Sequence, residues 1–132
     1  TKAYGGPIWF QLYATTSWAV TDRLIGRVEA AGTPVIALTV DNTTGRNSQT
    51  YKRFYRRNSK TCTACHDGEP PTMKGRRMYD GLDMTGVGRQ DLSMDWAFAG
   101  RLRQRVKGKL LIKGIETRED ARLAVETGFD AI

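Results

Sequence analysis

Residues 109 to 128 read KLLIKGIETREDARLAVETG, and two periodicities meet inside that stretch. "KLLIKGI" is a short apolar run of strand length. In "TREDARLAVETG", Thr117 and Asp120 then stand at capping-box spacing, and Gly128 supplies a helix stop. A strand that turns straight into a capped helix is one half of a βαβ unit, so the stretch predicts an α/β fold.

The same alternation continues upstream. "DWAFAGRLRQRV" places Trp96, Ala99, Leu102 and Val106 on one helical stripe. "PVIALTV", Pro34 to Val40, is nearly continuous in apolar residues and rich in β-branched ones, as strands covered on both faces are. From Ser17 to Ala31, Val20, Leu24, Ile25, Val28 and Ala31 recur at helical spacing, and Gly32 follows as a stop. "IWFQLY" is one more short strand, and "FDAI" at the end begins another. Repeated βα order implies a parallel sheet with right-handed crossovers.

The 132 residues, 39% hydrophobic, suffice for one modest domain, taken here as 1–132. Mean hydropathy is −0.50 and no apolar run reaches membrane-spanning length, which predicts a location in the cytoplasm or peripheral to the inner face of a membrane. Net charge is +7, from 21 Lys and Arg against 14 Asp and Glu, and favours anionic partners. The densest patch, "YKRFYRR" from Tyr51 to Arg57, mixes cations with aromatics as single-strand binders do. With no nucleic-acid motif around it, the patch is read as a solvated loop, and nucleic acid is not the expected partner.

One connection is anomalous. The excursion 41–93 is far longer than the two to six residues that usually join a strand to a helix. It contains both cysteines and the lone histidine, and is expected to be the least ordered part of the chain. Within it, "CTACH" brings Cys62, Cys65 and His66 into the spacing of covalent c-type haem attachment, with Met73, Met78, Met84 and Met94 as possible sixth ligands. A disulfide, a partial metal site or two unpaired thiols fit the same residues. Two Cys and one His fall short of a four-ligand zinc set. The polar neighbours "DGEPP" offer no haem pocket, so a structural role is preferred, no metal is assigned, and a haem-binding electron-transfer module stays as the alternative.

Polar residues stand where each apolar run closes: Gln11 and Tyr13, then Thr39 and Asp41, then Lys113. In parallel sheets of this kind the C-terminal strand ends form the ligand-binding edge. An amide, a hydroxyl and an ammonium suit a flat heterocycle with carbonyl and ring-nitrogen edges.

"PIWFQLY", "ALTVD" followed by "GR", "DW" ahead of a helix and "LLIKGIETREDARLAVETG" resemble the FMN-dependent 2-hydroxy-acid oxidases and dehydrogenases. The resemblance implies a partial (β/α)8 barrel, strands three to five and the start of six, and a flavoprotein that oxidises a lactate-like L-2-hydroxy acid to the 2-oxo acid. It implies FMN contacts for Gln11, Thr39 and Lys113, a substrate-facing catalytic role for Tyr13, and Arg46 on the substrate carboxylate. The family has Arg within Gly-x-Arg-Glu, whereas here Gly45-Arg46-Asn47-Ser48 places Asn47 at that position. Its catalytic His and phosphate-binding strands would come after Ile132. The 132 residues are therefore expected to belong to a longer chain or to pair with a second copy, and to be inactive alone. The electron acceptor has no sequence signal.

Overall fold

The computed structural model describes residues 5–41, 48–57 and 76–132. Its elements are β1 (Phe10–Leu12), α1 (Trp18–Ala30), β2 (Val35–Thr39), α2 (Gln49–Arg57), a short 3-10 turn (Arg77–Tyr79), α3 (Trp96–Arg105), β3 (Lys109–Lys113) and α4 (Arg118–Thr127). The chain divides into two compact units, Thr1–Thr43 with Val87–Ile132, and Thr44–Gly86.

The first unit carries the sheet. Its strands run in the order β1-β2-β3, all parallel, with Leu12 opposite Leu38 and Thr39 opposite Lys113. A parallel bridge from Leu111 to Ala131 adds the first residue of a further strand, where "FDAI" predicts one.

This register gives the sheet two unlike faces. Phe10, Leu12, Ile36, Leu38, Leu110 and Ile112 share one face, because side chains alternate and the pairs fall in step. That face packs into a single apolar cluster with Ile25 and Val28 of α1, Ala99 and Leu102 of α3, and Ala124 of α4. Leu12, Leu102 and Leu110 are fully buried, and burying such a side chain is worth about 1.5–3 kcal/mol. All three helices of this unit therefore lie on one side of the sheet, as in the wall of a βα-barrel. The other face carries Gln11, Ala37, Thr39, Leu111 and Lys113.

The helix ends follow local chemistry. Ser17, Asp95 and Thr117 cap α1, α3 and α4 by accepting from the backbone N–H of Val20, Phe98 and Asp120. Gly128 ends α4 with φ +89°, a conformation that favours glycine.

Charged side chains tie the frame together at the opposite end from the polar strand ends. Arg105 of α3 binds Asp22 and Glu29 of α1, the latter at 3.0 Å. Burial pushes the Glu29 carboxyl up, but the Lys107 N–H and the Arg105 guanidinium outweigh it and hold it below its ordinary value. Asp130 accepts from Lys109 Nζ at 2.6 Å, from the Leu110 N–H at 2.9 Å and from Arg103 at 3.1 Å, and its carboxyl is likewise held low, first by Lys109.

The excursion differs from its expected form. The "YKRFYRR" patch, read as a loop, is the body of helix α2, entered through Ser48, whose Oγ accepts from the Tyr51 N–H at 3.3 Å. Lys and Arg are good helix formers, and with Tyr51 and Phe54 three apart and Ser48 ahead, the local signal was present. The returning segment is also built earlier than Ser93. Gly88 exchanges hydrogen bonds with Thr16, at 3.1 Å to the Thr16 N–H and 2.7 Å to its Oγ1, and the Asp91 N–H reaches Ala14 O at 2.7 Å. The expectation of least order bears mainly on 42–47 and 58–75, outside the described residues.

Candidate functional site at the C-terminal strand ends

Gln11, Thr39 and Lys113 come from three successive strands and point to the same open face of the sheet. Gln11 sits opposite Ala37, whose small side chain lets it reach along β2. Its Nε2 donates to Thr39 Oγ1 at 2.9 Å and to Tyr13 OH at 2.7 Å. Both N–H bonds of the amide are thereby used inside the protein, which leaves Oε1 as its acceptor. Thr39 is 1% exposed and Gln11 exposed, so a buried hydroxyl anchors an accessible amide. Tyr13, two residues past Gln11 and 39% exposed, is held at the rim by the same amide.

Lys113 lies across from Thr39 and points its Nζ to Asp41, 3.2 Å from Oδ2. Both side chains are nearly half exposed, so the pair is screened and its Coulomb contribution small. What fixes the pair is backbone closeness. The Val40 N–H donates to Lys113 O at 2.9 Å, and Gly114 follows with φ +105°. A Cβ on Gly114 would stand 2.5 Å from Asp41 Cβ and 2.8 Å from its backbone N. Only glycine lets the two strand ends approach this closely. Asp41 was legible as a polar strand end, but its partnership with Lys113 was not; the glycine after Lys113 was the available signal.

A cavity of about 280 Å³ lies elsewhere, lined by Leu38, Val40, Met94, Trp96, Phe98 and Ile112 among others. Leu38 and Ile112 belong to the helix-covered face, so it opens on the side away from Gln11 and Thr39. Arg46, Cys62, Cys65 and His66 lie outside the described residues, and with them the carboxylate clamp and the haem alternative. Among the described residues no group of three or more His, Cys, Asp or Glu is arranged to hold a metal, and no helix is long and apolar enough to cross a membrane.

A parallel βα wall with polar groups at the carboxyl ends of its strands is the architecture of a partial (β/α)8 barrel with a ligand site at its mouth. The profile of the family described as FMN-dependent dehydrogenase matches residues 1–132, and the chain belongs to that family. It is 32% identical to glycolate oxidase of Spinacia oleracea over 124 residues, 93% of this chain and 34% of that protein. It is 31% identical to 2-hydroxyacid oxidase 2 of Mus musculus over 133 aligned positions, 98% of this chain and 35% of that protein. The crystal structure of a mandelate oxidase superposes with a TM-score of 0.67 at 28% identity, covering 98% of this chain and 34% of that one. The chain thus spans about a third of the length of these relatives. The family's cofactor is FMN.

Proposed function

We propose that this chain forms the central part of an FMN-dependent oxidoreductase that converts an L-2-hydroxy acid, lactate-like in size, to the 2-oxo acid. The observation that carries the reading is the shared open face of Gln11, Thr39 and Lys113 at three successive strand ends. These residues fit a flavin. With its N–H bonds spent on Tyr13 and Thr39, Gln11 would offer Oε1 to an N–H of the pyrimidine edge. Thr39 would back the ring system, and the small Ala37 side chain would leave room for a flat group beside it. Lys113 would face the N1 and C2-carbonyl region and favour negative charge there, an electrostatic contribution organised before the reaction starts.

FMN supplies the two-electron acceptor for the substrate's carbinol carbon. The chain's own part is to orient. Tyr13 directs its hydroxyl toward the substrate's carboxylate or hydroxyl, and Arg46 substitutes for the family's clamp one position early, pairing with the carboxylate. Asp41 keeps Lys113 from swinging into solvent. A clamp at position 46 in place of 47 would change where a carboxylate sits, so substrate preference is where a departure from the relatives is expected.

The test is anaerobic mixing of the FMN-loaded full-length enzyme that contains this chain with L-lactate, glycolate and L-mandelate in turn, following the flavin's visible band. Bleaching by at least one, fastest for L-lactate, supports the reading. A flavin that stays oxidised with all three contradicts it.

A further inference from the structure

Thr15, Thr16 and Ser17 follow one another in the loop between β1 and α1, and each hydroxyl is used differently. Such side chains compete for backbone groups wherever no helix or strand occupies them. Ser17 caps α1. Thr15, 1% exposed, donates from Oγ1 to Ser17 O at 2.9 Å and from its N–H to Thr21 Oγ1 at 3.1 Å, which ties it to the start of α1. Thr16 is exposed and is tied elsewhere. Its N–H donates to Gly88 O at 3.1 Å, and its Oγ1 accepts from the Gly88 N–H at 2.7 Å.

Glycine at position 88 permits this reciprocal pair. A Cβ there would stand 2.8 Å from Thr16 Cγ2 and 3.2 Å from Thr16 Oγ1, so a side chain at position 88 would push the two segments apart. Two residues before Thr16, Ala14 O accepts from the Asp91 N–H at 2.7 Å, and Ala14 is fully buried. Ala14 and Thr16 are thus both held by the segment that returns from the excursion. Tyr13 stands immediately before them. Since β1 ends at Leu12, the course of the backbone beyond Tyr13 is set from this side. The bond of 2.7 Å between Gln11 Nε2 and the Tyr13 hydroxyl depends on that course.

We propose that Thr16 is a positioning residue for Tyr13: its double hydrogen bond with Gly88 fixes the loop just beyond the tyrosine and so holds the phenolic hydroxyl where Gln11 and the substrate meet it. Thr16 touches neither flavin nor substrate and acts through Tyr13 alone. The proposal rests on the substrate role given to Tyr13 above. It also gives the returning end of the excursion a task, which is to brace the rim of the site.

A double-mutant cycle in the FMN-loaded full-length enzyme tests it, with whichever of L-lactate, glycolate and L-mandelate reduces the flavin fastest. Thr16→Val keeps the shape and removes the hydroxyl. It should lower kcat/KM about tenfold while FMN affinity stays within about twofold, since misplacing a contact to the reacting molecule by about 1 Å can cost about 100-fold in rate. Thr16→Ser keeps the hydroxyl and should restore kcat/KM. In the Tyr13→Phe background Thr16→Val should cost nothing further, because the group it positions is gone. Amide exchange of residues 12–17 should quicken in Thr16→Val and not in Thr16→Ser, a readout that needs no turnover. Unchanged exchange or unchanged kcat/KM in Thr16→Val, an equal loss in Thr16→Ser, or a full extra loss in the Tyr13→Phe background would each overturn the proposal. A Tyr13→Phe variant with unchanged kcat/KM would refute the substrate role of Tyr13 itself, and the positioning role with it, which tells failure of that reading apart from failure of the Thr16 contact.

Discussion

Gly114→Ala is the most informative single change, because the strand-end geometry leaves it no soft solution. The added methyl would meet Asp41 at 2.5 Å from Cβ and 2.8 Å from the backbone N, and neither is the tip of a flexible side chain. Two costs add. Holding an L-residue at φ +105° costs on the order of 1–3 kcal/mol. Relieving the overlap requires the end of β2 to move, and overpacking of this kind costs typically about 1–3 kcal/mol. The sum, about 2–6 kcal/mol, is a large fraction of the stability of an ordinary domain, about 5–15 kcal/mol. Where the protein survives the change, Asp41 is displaced and Lys113 loses its partner. Urea unfolding of the wild type and variant reads the first effect, and FMN affinity of the folded fraction reads the second. A variant within about 0.5 kcal/mol of wild type, the spread of ordinary surface substitutions, would show that the two strand ends do not approach as described.

In the full-length enzyme, Lys113→Met should slow flavin reduction by the 2-hydroxy acid more than it raises KM, since the cation acts on charge that develops during the reaction; an unchanged reduction rate in stopped flow would count against that role. Leu102→Ala, at a fully buried position, should lower stability by about 2–5 kcal/mol in the same urea assay. Glu29 and Asp130 both have carboxyls held below their ordinary values in the folded state, so their contribution is complete above the ordinary carboxylate range and is lost as pH falls through the lowered values. Stability should therefore drop on acidification below about pH 4, and Glu29→Gln should make that drop shallower while lowering stability at neutral pH. A steeper acid slope in the variant would reverse the sign argued for Glu29.

The βα frame was legible because each element carried its own punctuation. "PVIALTV" announced a central, buried strand, and Ile36, Ala37, Leu38 and Thr39 are all buried, although the helices of this unit cover only one of its faces. Thr117, Asp120 and Gly128 marked the two ends of α4 by cap chemistry, which is local and survives any tertiary context. The strand-end residues were legible for a topological reason: in a parallel sheet all carboxyl ends share an edge, so sequence position alone assigns Gln11, Thr39 and Lys113 to one side. What sequence could not supply was register. Thr39 opposite Lys113 and Gln11 opposite Ala37 decide which polar groups touch, and these pairings join residues far apart in the chain. The Gly114 approach to Asp41 is of the same kind. Helix α2 was missed for a different reason. Its aromatics and cations were weighed as a ligand-binding composition, and their three-residue spacing after Ser48 was passed over.

The central claim is that the face bearing Gln11, Thr39 and Lys113 receives the flavin, and an FMN titration of the wild-type protein against Gln11→Leu tests it most directly. Leucine keeps the volume and removes the outward acceptor; the exposed Tyr13 hydroxyl can replace its lost donor with water, whereas the buried Thr39 hydroxyl cannot. Losing one such hydrogen bond to the ring should weaken FMN binding by a factor of about 2 to 12, corresponding to about 0.5–1.5 kcal/mol. The expected result is measurable FMN binding by the wild type, weakened in the variant by that factor, with both proteins folded. Equal FMN affinity in the two proteins, both folded, would contradict the account and move the flavin off this face.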